Sequence, residues 1–133
     1  INYYIDKMYS IYHIFKSFSI FGMGIFYIIV GIHHFIDPEW YVQIVPPPLP
    51  FKSTLVYISG FFEILLGSLL FFKKKRFLAG WGLIFLLIAV YPANIYLALT
   101  NGQAINTTPF IAWIRLPFQF VFIGLAYWHT KID

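Results

Sequence analysis

Apolar residues along this chain do not alternate and do not trace one helical stripe; they run. Residues 15–35, 53–72, 77–99 and 110–128 are each apolar on every side of a helix. That pattern marks a helix surrounded by lipid and not an amphipathic surface helix. About 20 helical residues cross the hydrocarbon of a bilayer, and each stretch is close to that length. Between the first two lies "IVPPPLP", residues 44–50. Consecutive prolines cannot continue a helix and favour a stiff polyproline II segment. The pattern predicts one domain, residues 1–133: an all-α transmembrane four-helix bundle joined by short connections.

Composition strengthens this reading. Hydrophobic residues make up 60% of the 133 and charged residues 11%, against about 25% charged in a soluble domain. A water-soluble fold of this size could not cover such a surface. Cysteine is absent, which removes disulfides, thiol redox chemistry and cysteine-held zinc or iron–sulfur centres. In the residues given there is no basic start followed by a short apolar core and a cleavage site. The first apolar stretch is therefore expected to stay as an anchor.

The net charge of +4 is unevenly placed. Lys73, Lys74, Lys75 and Arg76 form one run between the second and third apolar stretches. Basic runs there set orientation, with lysine and arginine retained on the cytoplasmic side. This argues against nucleic acid as a partner. Four spans then put both termini in the cytoplasm, where Lys7, Lys16 and Lys131 agree. The prolines face the outside, expected to be the periplasmic side of a bacterial inner membrane. Trp40, Tyr41, Trp113 and Trp128 fall near span ends, as headgroup-level anchors do.

Ionisable and amide groups inside spans are few. Glu63, in "SGFFEILLG", lies roughly 15 Å from the start of its span and shares a face with Gly60 and Gly67. Small residues admit a second helix closely, so Glu63 is expected to point into the bundle. Arg115 and Gln119 share a face of the last span. Asn94 follows Pro92 in the third, and His34 closes the first, with His33 turned about 100° away. His34, Glu63, Asn94, Arg115 and Gln119 all fall in the outer half. Pro92 and Pro117 are there too and are expected to break their helices, freeing the carbonyls of Ile88 and Trp113. Together these features predict a small polar pocket open to the outside, with Pro46, Pro47, Pro48 and Pro50 as a rigid brace above it.

Plainer readings stand beside this one. Glu63 and Arg115 would neutralise each other as a buried pair that fixes helix register. Asn94 and Gln119 would join helices without touching a ligand. Histidines at suitable depth for a haem are lacking, because His13 and His129 sit at the end opposite His34. No nucleotide-binding or zinc-protease motif occurs, and no metal site is expected.

Read together, "GIHHFIDPEWYVQIVPPPLP", "LVYISGFFEILLG", "LAGWGLIFLLIAVYPANIYLAL" and "IRLPFQ" resemble the DoxX-like family of small four-helix membrane proteins. The resemblance covers residues 24–128. It implies that Gly31, His34, Pro46, Pro47, Leu49, Pro50, Glu63, Asn94, Arg115 and Gln119 occupy the family's motif positions. It also implies either of two roles: an accessory subunit or assembly factor of a larger membrane complex, or a subunit linked to quinone redox chemistry. The first is the expected role and the second its alternative; the first requires no enzymatic activity, and its partners are the bilayer and another membrane protein or a second copy. The second takes quinone or lipid as ligand, held by His34, Glu63 and Arg115. A carrier for a small anion centred on Arg115 ranks third, because four helices leave little room for alternating access.

Overall fold

A computed structural model describes residues 1–131. The described chain is helical, with no strand: α1 (Asn2–Ile36), α2 (Pro38–Val42), α3 (Lys52–Leu69), α4 (Arg76–Leu99) and α5 (Pro109–His129). Two 3-10 turns, Lys73–Lys75 and Gln103–Ile105, lie in the connections around α4. Three helices are long and apolar enough to cross a membrane: α1, the helix ending at Leu99 and α5. With 18 residues, α3 is shorter, and Lys52, Ser53, Thr54, Ser59, Glu63 and Ser68 dilute its apolar character.

The helix boundaries differ from the apolar stretches in three places. α1 starts at Asn2, well before residue 15. No glycine or proline occurs before Gly22, so nothing in the backbone stops the helix where the most apolar part begins. At 35 residues it is about 52 Å long, more than the ~30 Å of a bilayer's hydrocarbon. α3 ends at Leu69, short of residue 72; the Arg76 side chain closes that end by donating from Nε to the Leu70 carbonyl at 2.8 Å. A cation at a helix C-terminus satisfies an orphan carbonyl and complements the dipole. Finally, α4 and α5 run unbroken through Pro92 and Pro117, so the expected breaks do not occur. α5 begins as its sequence suggests, with Pro109 in the first turn and the Thr108 hydroxyl accepting from Ile111 N at 3.2 Å.

The chain forms two helix hairpins, α1 against α3 and α4 against α5, joined side by side chiefly through α3 and α4. Glycines make the first hairpin possible. A Cβ built at Gly31 would lie 2.6 Å from the Gly60 carbonyl, and one at Gly60 would lie 3.0 Å from the Gly31 carbonyl and 2.7 Å from His34 Cβ. Gly24 and Gly67 repeat this reciprocity one heptad away, each Cβ falling 2.9 Å from the other's carbonyl. The two helices therefore meet backbone to backbone.

The tightly packed core occupies the end that carries the lysine turn, built on Ile20, Met23, Leu70, Ala79, Leu83 and Ala126. His129 lies buried in the same end, with Nε2 2.8 Å from Ser19 Oγ, and Lys16 Nζ donates to the Lys131 carbonyl at 2.8 Å. At the opposite end a much smaller cluster, Ile44, Leu97 and Ala112, packs beneath the loops. The space between these clusters is not filled.

The proline segment is not a polyproline rod. Leu49 N donates to the Pro46 carbonyl at 3.0 Å, so residues 46–49 form a turn. A φ of 55° at Phe51 then swings the chain into α3. Leucine's free N–H, three residues after the first proline, is what lets the turn close.

Candidate functional site

The unfilled space is a cavity of about 620 Å³ between the two hairpins, in the half nearer the proline turn. Binding pockets for small organic ligands span roughly 300–1,000 Å³. All four long helices contribute. Phe26, Tyr27, Val30 and His34 come from α1, Val56, Ser59 and Glu63 from α3, Leu87 and Asn94 from α4, and Arg115, Phe118 and Gln119 from α5. Ile44, Val45, Pro46 and Leu49 form the loop-side wall.

His34, Glu63, Asn94, Arg115 and Gln119 thus meet at one cavity. Of the four brace prolines only Pro46 lines it, while Pro47, Pro48 and Pro50 are exposed. The wall above the cavity is made instead by the buried Ile44 and Val45, together with Leu49.

The pairing inside the cavity is not the one between Glu63 and Arg115. The ionisable partner of Glu63 is His34, whose Nδ1 lies 3.4 Å from Glu63 Oε2. That nitrogen also lies 2.7 Å from the Val30 carbonyl. A carbonyl can only accept, so Nδ1 carries a proton and directs it to Val30. Glu63 Oε2 is consequently buried with no hydrogen bond, and so is the Ser59 hydroxyl one helical turn away. Arg115 forms no ion pair among the described residues. The reason lies in the packing: Gly60 brings α3 against α1, which sets Glu63 beside His34.

Asn94 and Gln119 bond to each other across α4 and α5, Asn94 Nδ2 donating to Gln119 Oε1. Gln119 Nε2 in turn donates to the Leu87 carbonyl. Gln119 therefore serves a backbone oxygen one residue before Ile88, the residue whose helical partner Pro92 removes. The pair knits the second hairpin at the cavity wall.

Tyr41 lines the site as well, and its position was not legible as such in the sequence. α2 doubles back after α1, started by Asp37 and Pro38, and lays the Tyr41 ring flat on His34, with centroids 3.7 Å apart and planes 17° apart. The Tyr41 hydroxyl sits 2.8 Å from His33 Nδ1. The usable signal was Asp-Pro directly after a histidine-rich helix end, which marks a helix stop and a restart. Burial, then the nearby Glu63, raises the Tyr41 phenol above its ordinary pKa, while Arg115 pulls it down.

On the opposite flank Phe26 of α1 and Phe122 of α5 stack at 5.5 Å with planes 10° apart. They bridge the seam where α1 and α5 barely touch. Phe26 remains half-exposed on the outside, so an apolar ligand would meet aromatic rings and no polar barrier there.

This architecture defines a helical protein with three candidate membrane-crossing helices and a partly open cavity of mixed polarity between its hairpins. The chain belongs to a family described as a domain of unknown function (DUF8561), which matches residues 23–130. The matched region takes in every cavity residue. No curated protein and no solved structure matches the chain.

Proposed function

We propose that this is a four-span protein of a bacterial inner membrane, related to the DoxX-like proteins, that serves a larger membrane complex as a quinone-linked subunit. In this reading α3 is the fourth span and the Lys73–Lys75 turn and both termini are cytoplasmic, with α2 and the proline turn outside. The uneven charge supports the orientation, since Lys7, Lys16, Arg76 and Lys131 gather at the core end.

The observation that carries the function is the cavity itself: mostly apolar and aromatic, with a buried carboxyl and a guanidinium that has no ion pair among the described residues converging on it. A membrane-dissolved ring compound needs an apolar slot with a few polar groups to fix its oxygens. Arg115 supplies a donor for one ring oxygen, and His34, held by Val30 and Tyr41, braces the Glu63 side. The test is to purify the protein from native membranes in lipid nanodiscs and assay extracted quinone by mass spectrometry. Quinone should exceed its mole fraction in protein-free membrane, and Arg115→Leu should lower it. Quinone at background in the unaltered protein would end this reading.

A second reading, a non-catalytic accessory or assembly factor, draws on the outer faces. Phe85 and Ile88 on α4, and Phe120 and Val121 on α5, are exposed apolar side chains on adjacent helices. Such faces suit lipid and a partner's helices equally. A partner that co-purifies in mild detergent and is lost on substituting Phe120 and Val121, with cavity variants without effect, would favour it.

A further inference from the structure

The cavity's hydrogen-bonding groups are unbalanced in a way that selects among ring compounds. Glu63 is only 6% exposed, lines the cavity, and leaves Oε2 without a hydrogen bond. Ser59 Oγ, buried on the same helix and also lining the cavity, is equally unpartnered. The proton on His34 Nδ1, the ionisable neighbour of Oε2, is taken by Val30. A buried acceptor left unmade costs about 1–3 kcal/mol, and more when it is charged. Arg115 has the complementary need, since it carries donors and no ion-pair partner among the described residues.

A ligand that settles both needs must donate a hydrogen bond on one side and accept on the other. A quinone only accepts: its two carbonyl oxygens suit Arg115 but place an acceptor against Oε2 of an ionised Glu63. A quinol carries two hydroxyls, each able to donate and to accept. We propose that the cavity selects the reduced, hydroxyl-bearing form of a membrane-soluble aromatic ring, with one hydroxyl donating to Glu63 Oε2 and Ser59 within reach of the same group. The other oxygen accepts from Arg115, and the ring lies among Tyr27, Phe118 and Tyr41. This rests on the quinone-linked reading above and narrows it to one oxidation state. It concerns binding only; no electron transfer is assigned to this chain.

The experiment uses the full chain in nanodiscs of neutral lipid, without oxygen, with a decyl-substituted benzoquinone and its quinol as probes. Binding of each is read from protection against heat unfolding. Preference is read from the midpoint potential of the couple with protein in excess, compared with empty nanodiscs. One hydrogen bond gained by the quinol alone corresponds to about tenfold tighter binding, which raises the two-electron potential by about 30 mV. Glu63→Gln, whose amide can donate to a carbonyl, should abolish the shift while still binding the ring. Ser59→Ala, a smaller change, should reduce it, and it serves if Glu63→Gln does not fold. If neither probe protects the protein, the quinone-linked reading falls and this proposal with it. If both bind with no shift or a downward one, or the shift survives Glu63→Gln, the selection proposed here is wrong and the pocket reading stands.

Discussion

Tyr41 touches both neighbouring histidines at the end of α1: its ring lies 3.7 Å from the His34 ring and its hydroxyl 2.8 Å from His33 Nδ1. His33 and His34 point about 100° apart around the helix, so no ordinary residue of a packed neighbour would reach both. α2, returning across the helix end, does. It ties the loop wall of the cavity to the ring beside Glu63.

Tyr41→Phe keeps the stacked ring and removes only the hydroxyl bond, so it should cost about 1 kcal/mol or less. Tyr41→Ala removes the ring as well and should cost roughly 2–4 kcal/mol. Thermal unfolding in one detergent compares them; equal losses would show that the stack contributes nothing. The same phenol gives a pH signature. Its pKa is raised in the folded state, first by burial and then by Glu63, so the neutral form is the one that folding favours. Its contribution is complete below about pH 10, the unperturbed tyrosine value. It is lost as pH climbs through the raised value. Ultraviolet titration of unaltered protein against Tyr41→Phe should show one phenol ionising late.

Backbone approach at Gly31 and Gly60 should make that contact the least forgiving in the first hairpin. Gly60→Ala places a methyl 2.7 Å from His34 Cβ and 3.0 Å from a carbonyl, and overpacking of this kind costs about 1–3 kcal/mol. Gly22 and Gly124 have nothing within 4 Å of an added Cβ, and alanine at either should be neutral or slightly stabilising. Detergent melts of the three variants decide it. Similar behaviour at all three would refute the close-approach account.

Removing the Gln119 side chain leaves Asn94 Nδ2 without its acceptor and takes from the Leu87 carbonyl the side-chain donor it has besides its helical one. Gln119→Leu should therefore cost about 1–3 kcal/mol. The double variant Asn94→Leu, Gln119→Leu should lose less than the sum of the single changes, because neighbours in one network do not add. Strict additivity in a double-mutant cycle would separate the two residues.

The absence of cysteine makes orientation directly measurable. Pro47→Cys should react with a membrane-impermeant maleimide added outside intact cells, and Lys74→Cys only after permeabilisation. Labelling of both from the same side would overturn the four-span arrangement, in which α3 crosses the bilayer between them.

The sequence alone determined that this is an all-helical chain with stretches suited to lipid, and where α4 and α5 begin and end, because hydrophobic runs, Thr108-Pro109 and the lysine cluster are local signals. It also singled out the five polar side chains, since such groups are rare against so apolar a background. Three things needed the tertiary structure. The start of α1 at Asn2 was hidden because helix continuation depends on the absence of breakers and not on hydropathy. The turn at Pro46–Leu49 depends on a hydrogen bond between two residues that composition reads only as stiff. The choice of His34 over Arg115 as the neighbour of Glu63 was beyond any one helix's pattern. Charge complementarity permits either pairing, and the close glycine contact between α1 and α3 decides which side chain lies nearer.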